Sequence, residues 1–371
     1  MNRSIERRWR MRAVCVIAAA TAIGGSMSVT AAFAAEPAHC QVAGESGFTA
    51  AVVAHAGQHL ADRTVDASGC DVGIYVDAPK VTIDRVNVRG ANAAGILVQN
   101  TSHITISRST VTGNGFHTTK PVSHDSVNPG ELPQAFGISL FGVSHATLSR
   151  NTVYNNGRGG IGVMDNGPFD PGQVFMGGGT TSPVNVPVVD VTVERNTLWA
   201  NYAGCAIVVS AFNADNTVRN VTIASNTIRQ GTPVFDSAGD PDVGGIVAQS
   251  NGAGSVVSDI AISRNTVRDS GEAGVIVHAA APGSKTMNVT VDRNVLSGNN
   301  WLHASAPDTA GVVVDSRLIP ADLGQATVHT VVSRNTITGQ FYGIWAQGPD
   351  APLASRNDIT VTTGGEPIHL Q

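Results

Sequence analysis

Residues 260–267 read IAISRNTV and are followed, after a short polar stretch, by Gly274-Val275-Ile276-Val277. Each apolar run is too short for a helix, and its alternating side chains are typical of a β-strand. The same pattern recurs along the chain, at residues 104–111, 146–153, 191–198, 221–228, 289–296 and 330–337. Each repeat therefore predicts three short strands. Because one such unit cannot bury its own apolar face, the units are expected to stack.

Alignment of the Gly-Ile-x-Val strands places one branched aliphatic side chain of every repeat in a single column. Its members are Ile74, Ile96, Ile138, Ile161, Ile207, Ile246, Val275, Val312, Ile344 and Ile368. The shortest spacings, of about 22 residues, suit one turn of a three-stranded coil, and longer spacings add loops to whole coils. The repeat thus predicts an all-β solenoid of about ten coils.

A second column, of asparagines, explains the short turn between the second and third strands of each coil. It contains Asn151, Asn196, Asn226, Asn265, Asn294, Asn335 and Asn357. Asparagine tolerates a left-handed backbone, and its amide both donates and accepts, so stacked copies can satisfy one another. Val86 and Ser109 occupy this place in the first two coils, so the ladder is expected to start at the third. The arginine before most of these asparagines recurs too regularly for catalysis and is interpreted as an exposed stacking position.

On these repeats, roughly residues 70–371, the chain resembles the right-handed parallel β-helix of the pectate-lyase-like superfamily. The resemblance implies a ligand groove along the Gly-Ile-x-Val strands, walled by loops on both sides of them. Residues 45–60 resemble the helix that caps the N-terminal end of such solenoids. The superfamily contains lyases, hydrolases, epimerases and non-catalytic adhesins, so the fold does not select one activity.

The N-terminal residues predict export. Arginines precede an apolar run and Ala32-Phe33-Ala34, the layout of a signal peptide over residues 1–34 with cleavage near Ala34. The remaining chain divides into an N-terminal cap segment, residues 35–70, and a β-helix, residues 71–371. A secreted or periplasmic location follows, and there Cys40 and Cys70 are expected to form a disulfide.

Composition limits the partners. The chain has 23 Lys and Arg against 28 Asp and Glu, a formal net charge of −5, and loss of the leader removes five of the arginines. A nucleic-acid partner is disfavoured because it requires a basic face. No later apolar run is long enough to span a membrane. Residues 367–371 match another Gly-Ile-x-Val strand without a following cap, so self-association at that open edge is a hypothesis.

Strand alternation identifies the side chains that face outward into the expected groove. The most polar part of that face reads Gln249, His278, Asp315, Gln347. Because adjacent strands lie about 4.8 Å apart, Asp315 could orient His278 as an acid or base. A solvated strand face without chemistry is the alternative interpretation.

The flanking loops and aromatic residues complete the candidate site. Asp242, Glu272 and Asp308 are the candidate partner acids, because glycoside hydrolysis uses two carboxyl groups. Trp301, Trp345 and Phe141 could stack on sugar rings, together with the amides of Gln249 and Gln347 as substrate-binding groups. The sequence requires no cofactor, although the oxygens of Asp236, Asp240 and Asp242 could bind Ca²⁺; a polar turn is the alternative.

Several known signatures are missing, including the adjacent Asp pair of polygalacturonases and the Asp-Pro-His-Asp of alginate epimerases. The sequence therefore predicts an exported carbohydrate-active β-helix protein, with an enzyme favoured but not established. Cleavage of an extracellular polysaccharide by hydrolysis or β-elimination is the leading hypothesis. The alternative is a non-catalytic surface or adhesion protein that binds a glycan or a protein.

Overall fold

The computed structural model describes residues 39–43, 48–115, 136–157, 159–165, 187–201, 204–230, 244–303, 305–316 and 326–371. They belong to one compact unit, residues 35–371, and form 28 strands. Within these ranges all regular secondary structure is β, and none of the described residues is helical. Their strands pair in parallel except for the first pair, so the predicted all-β parallel solenoid is confirmed.

The strands stack in three columns, one strand of each per coil. The Gly-Ile column contains β2 (Phe48–Ala54), β4 (Val72–Val76), β6 (Ala94–Gln99), β9 (Ile138–Phe141), β12 (Ile161–Met164), β15 (Ile207–Ala211), β18 (Ile246–Ser250), β21 (Val275–Ala279), β24 (Ala310–Asp315) and the second halves of β26 (Thr336–Gln347) and β28 (Asp358–Leu370). The Val-Thr column contains β3 (His59–Asp66), β5 (Thr82–Arg89), β7 (Ser102–Ser107), β10 (Ser144–Ser149), β13 (Val188–Glu194), β16 (Thr217–Ala224), β19 (Val256–Ser263), β22 (Lys285–Asp292), β25 (Thr327–Ser333) and β27 (Leu353–Ser355).

The third column, here called the Thr column, is built from three-residue strands. It contains β8 (Thr110–Thr112), β11 (Thr152–Tyr154), β14 (Thr197–Trp199), β17 (Thr227–Arg229), β20 (Thr266–Arg268) and β23 (Val295–Ser297). The end of β5 and the first halves of β26 and β28 continue it. The bend between the Val-Thr and Thr columns is the short asparagine turn.

The core fills the interior of the coil. The predicted aliphatic column is confirmed in register, from Ile74 opposite Ile96 to Ile344 opposite Ile368. Ile74, Ile207 and Ile246 have no exposed surface. The glycine before this column is required by close approach: a Cβ on Gly245 would lie 2.2 Å from the carbonyl oxygen of Gly274 in the next coil. The motif therefore combines a core residue with the tight stacking of successive coils.

The N-terminal cap differs from the expectation. Residues 48–54 form strand β2, not a helix, and Val52 pairs with Ile74 of β4. A short apolar run fits either period, and here pairing with the first full coil satisfies the backbone. Gly57 lies in the turn to β3 with φ of 73°. β1 (Gln41–Ala43) pairs antiparallel with β2, and the predicted Cys40–Cys70 disulfide is present.

The asparagine ladder is confirmed and starts in the third coil. Asn196 Nδ2 donates to Asn226 Oδ1 at 3.0 Å and to the Leu148 carbonyl at 3.0 Å, while its backbone N–H donates to Asn226 Oδ1 at 2.9 Å. The same arrangement repeats from Asn151 to Asn357. Each buried amide therefore joins three neighbouring coils.

The left-handed backbone of the turn lies one residue earlier than expected. The residue before each asparagine, not the asparagine itself, has positive φ: Arg150 (58°), Arg195 (56°), Ser225 (57°) and Arg264 (55°) are examples. The asparagine is held in place by its hydrogen bonds instead. The arginines are exposed, as expected, and some bind acids of the preceding coil.

One of these ion pairs shifts a carboxyl pKa strongly. Arg108 donates to Asp84 through Nε at 2.8 Å and Nη2 at 2.7 Å, and Ser107 Oγ donates at 2.7 Å. These hydrogen bonds, with the positive charges of Arg108 and Arg85, outweigh desolvation and lower the pKa of Asp84 to about 2.

A second polar ladder follows the first by five residues. Asn114 Nδ2 donates to Asn156 Oδ1 at 2.9 Å, and Asn156 Nδ2 donates to Asn201 Oδ1 at 2.9 Å. Gln230 continues it, since its Oε1 accepts the Asn201 N–H at 3.4 Å.

The described residues include no helix with the length and apolarity of a membrane span.

Candidate functional site

The two outward columns of the Gly-Ile strands have the predicted register. In the second of them, Ser210, Gln249, His278, Asp315 and Gln347 stand directly opposite one another on β15, β18, β21, β24 and β26. These five residues are called the polar column below. The strands of the solenoid thus bring together four of the residues on which the sequence prediction was based.

The outer face is more closed than the sequence suggested. The first outward column is apolar and buried: Tyr75 is 4% exposed, Leu97 0%, Val208 5% and Val247 4%. With residues such as Phe136 and Met164 it forms a second apolar cluster outside the coil interior. Among the described residues, the first outward column of these coils is therefore packed, whereas His278, Asp315 and Gln347 of the polar column stay half-buried.

Two of the proposed sugar-stacking aromatics belong to this buried surface. Phe141 is 0% exposed and Trp345 is 3% exposed, because each packs into an apolar cluster on the outer face. A sugar ring cannot reach either ring face in this structure, which corrects the expectation for both. Trp301 differs, since 38% of it is exposed.

His278 and Asp315 are direct neighbours on adjacent parallel strands, and both are half-buried. Neighbouring strands lie about 4.8 Å apart, so the two side chains occupy adjoining positions on one face. The end of β21 is anchored from the coil corner: Thr286 Oγ1 donates to the His278 carbonyl at 2.6 Å and lies 2.9 Å from Ser250 Oγ. The backbone at His278 is therefore hydrogen-bonded to Thr286 of β22.

Several polar atoms on this face have no hydrogen-bond partner among the described residues. They are Ser210 Oγ, Trp345 Nε1 and Gln347 Oε1, all buried from solvent. Buried polar groups in folded proteins are nearly always satisfied, so such atoms require a water or a ligand partner. They lie on β15 and β26, within two strands of the His278–Asp315 pair.

Two of the loop carboxylates have contacts of their own. Glu272 Oε2 lies 3.7 Å from Cys205 Sγ, and Glu272 precedes His278 by six residues along the chain. Asp308 Oδ1 accepts the Thr309 N–H at 2.7 Å and lies 3.9 Å from His303 Nε2. Their roles as partner acids stay predictions.

The third candidate acid and the Ca²⁺ hypothesis fall outside the described part of the chain, since they depend on Asp236, Asp240 and Asp242. Within the described ranges, no group of three or more His, Cys, Asp or Glu is arranged to hold a metal ion.

One buried acid was not singled out from the sequence. Asp165 directly follows β12 and is 1% exposed. It accepts the N–H groups of Phe212 at 2.9 Å and Asn213 at 3.0 Å, and Asn216 Nδ2 at 3.1 Å. Desolvation outweighs these bonds and raises its pKa. Its three donors come from the next coil, which indicates a structural role in tying two coils together.

Solved structures with a similar fold include the A-module of mannuronan C-5 epimerase AlgE4 from Azotobacter vinelandii. It is 17% identical with a TM-score of 0.49, and the alignment covers 87% of this chain and 72% of that one. A family 28 exopolygalacturonase from Yersinia enterocolitica is 12% identical with a TM-score of 0.43, and 80% of this chain covers 44% of it. PfbA, a surface adhesin of Streptococcus pneumoniae, is 13% identical with a TM-score of 0.37, covering 80% of this chain and 64% of that one.

Because all three TM-scores lie below 0.5, nothing about this chain is concluded from these similarities. No curated protein shows significant sequence similarity to the chain. The family described as "Right handed beta helix region" matches residues 46–234, more than half of the 371 residues. With the stacked parallel coils described above, this match means that the chain belongs to the right-handed β-helix family.

Proposed function

We propose that the protein is exported and cleaves an extracellular polysaccharide at the polar column, with His278 as the acid or base. The observation that carries this proposal is the registered pair of His278 and Asp315 on β21 and β24. Imidazole is the side chain best suited to proton transfer near neutral pH, and a neighbouring carboxylate can orient it.

The surroundings of the pair favour a carbohydrate. Gln249 and Gln347 flank it in the same column, and their amides can both donate to and accept from sugar hydroxyls. Gln347 Oε1 has no partner within the described ranges, and Gln347 itself is only half-buried, so a hydroxyl-rich ligand could supply the missing bond. Parallel strands at regular spacing also suit a polymer with a regular repeat.

The two candidate reactions make different demands on this face. Hydrolysis uses two carboxyl groups about 5 to 9.5 Å apart, and the polar column holds one, Asp315. A second would have to come from a loop, with Asp242, Glu272 and Asp308 as the candidates. β-Elimination needs a base that removes a proton from the sugar ring, a step that His278 could perform with Asp315 orienting it.

The proposal is tested by incubating the purified protein, without residues 1–34, with neutral and acidic polysaccharides. Reducing ends report cleavage, and ultraviolet absorbance reports unsaturated products, which only elimination generates. Assays with calcium and with a chelator test the Ca²⁺ hypothesis. His278→Gln and Asp315→Asn are compared with Asp77→Asn, a control on an exposed acid just after β4.

Cleavage that is lost in the first two variants and kept in the control supports the proposal. Cleavage that survives in both variants contradicts it, because the reaction would then occur elsewhere. Absence of cleavage, with polysaccharide still bound, would favour the non-catalytic binding protein instead.

A further inference from the structure

We propose that the Thr column is a second glycan-binding surface, separate from the polar column, and that it takes an acidic sugar chain. Its strands are β8, β11, β14, β17, β20 and β23. The sequences of these strands are TVT, TVY, TLW, TIR, TVR and VLS. The middle residue of each is buried and the two outer residues face outward, so the surface carries two parallel rows of side chains.

The first row consists almost entirely of threonines. Thr110, Thr152, Thr197, Thr227 and Thr266 follow one another in register, with Val295 next. Their hydroxyl groups recur at the strand spacing, about 4.8 Å. Each can donate and accept a hydrogen bond, which suits the hydroxyl groups of a sugar chain.

The second row supplies two aromatic side chains and positive charge. Tyr154 and Trp199 stack with ring centroids 4.3 Å apart and planes inclined by 9°, and both are half-buried. Arg229 and Arg268 occupy the next two positions. The side chain of Arg229 is 75% exposed, and that of Arg268 is exposed as well.

Charge complementarity identifies the ligand class. The six strands contain two charged residues, both arginines, although the whole chain has a net charge of −5. Asp269, which directly follows β20, accepts from Arg229 Nε at 3.0 Å, so this group of two arginines and one acid keeps one positive charge. Guanidinium groups bind carboxylates and sulfates through paired hydrogen bonds. The exposed indole of Trp301 adjoins this acid, since Trp301 Nε1 donates to the Asp269 carbonyl at 3.4 Å.

This surface uses strands different from those of the polar column, so binding here does not depend on the proposed cleavage. Binding is measured by calorimetry on the protein carrying Asp315→Asn, so that cleavage does not consume the ligand. The probes are oligogalacturonate and its fully methyl-esterified form, which differ in charge. Arg229→Gln/Arg268→Gln and Trp199→Ala are the test variants. Arg195→Gln/Arg264→Gln, which removes two exposed arginines of the asparagine turn, is the control of equal charge.

Oligogalacturonate is expected to bind at least about tenfold more tightly than the ester, with affinity that falls as salt is added. The Arg229/Arg268 variant should lose about tenfold and the Trp199 variant severalfold, while the control stays within about twofold. Equal binding of the two probes, equal losses in the test and control pairs, or no binding at all would overturn the proposal. Loss of cleavage in the His278 variant with this binding intact would separate the two surfaces.

Discussion

The asparagine ladder lies inside the turn between the Val-Thr and Thr columns, and the polar column lies on the outer face of the Gly-Ile strands. Inside, each asparagine amide is satisfied by coils on either side, and the same residue returns from Asn151 to Asn357. Outside, the polar column changes residue at every coil and leaves Ser210 Oγ and Gln347 Oε1 without partners among the described residues. The repeated and fully bonded row is architectural, and the varied row is the one that we propose for a ligand.

The largest effect on stability is expected from a substitution in the asparagine ladder. Asn226→Ala removes the acceptor of two Asn196 donors and leaves the Val193 carbonyl without its donor. Unsatisfied buried groups cost about 1–3 kcal/mol each, so the free energy of unfolding should fall by about 3 kcal/mol or more. Chemical denaturation measures this change. Thr227→Ala, on the exposed neighbour, should change it by about 0.5 kcal/mol or less. Equal losses in both variants would show that the ladder does not stabilise the turn.

In the polar column, a substitution should affect activity strongly and stability weakly. His278→Gln is expected to lower the rate of polysaccharide cleavage by about 100-fold or more, as loss of an acid or base does. Because His278 is half-buried on the outer face, its replacement should change the free energy of unfolding by less than about 1 kcal/mol. Parallel rate and denaturation measurements on one preparation check both. A variant that loses stability as strongly as Asn226→Ala would place His278 with the structural residues.

A smaller effect is expected at Gln347, another member of the polar column, where stability and ligand affinity should again change independently. Gln347→Leu removes an oxygen that is buried without a partner, so stability should stay equal or rise by about 1 kcal/mol. Affinity for the polysaccharide should fall, since the same oxygen is proposed to bind it. Thermal unfolding with and without ligand measures both quantities. A clear loss of stability without ligand would mean that the amide already has a structural partner.

The last prediction concerns the pH dependence that arises from Asp84, a buried acid of β5 that Arg108 of the next coil binds. The pKa of Asp84 is about 2 in the folded protein, below its ordinary value of 3.8. A lowered carboxyl pKa contributes stability that is present above about pH 4 and is lost as the pH falls through about 2. The Asp84→Asn variant should therefore be less stable than the unaltered protein at pH 5, and this difference in stability should shrink as the pH falls between these values. Denaturation midpoints of both proteins from pH 5 to pH 2 measure the difference. A difference that does not change with pH would contradict the lowered pKa of Asp84.

The repeat predicted most of the fold because period, register and stacking are local properties of each coil. The Ile74 column and the Asn151 ladder both follow from spacing alone. Residues 48–54 were misassigned because a short apolar run fits two periods, and only pairing with β4 distinguishes them. The left-handed position was also missed, since hydrogen bonds between coils move it from the asparagine to the preceding residue.

The site was less predictable, because strand alternation says which side chains point outward but not what covers them. Register placed His278 opposite Asp315 as expected. Alternation also pointed Phe141 and Trp345 outward, yet both are buried in apolar clusters on that face. The position of Glu272 against Cys205 depends on side-chain reach across coils, which no spacing in the sequence encodes.

The asparagine ladder also bears on how such a protein changes its length. Every rung offers the next coil the same acceptor and the same donor, so Asn196 would meet Asn265 as readily as it now meets Asn226. Removal or duplication of one whole coil would therefore leave matching ends, whereas a change of part of a coil would not. Whole coils can therefore be gained or lost, in evolution or by design, and the number of coils can vary independently of the side chains that each coil displays on its surface.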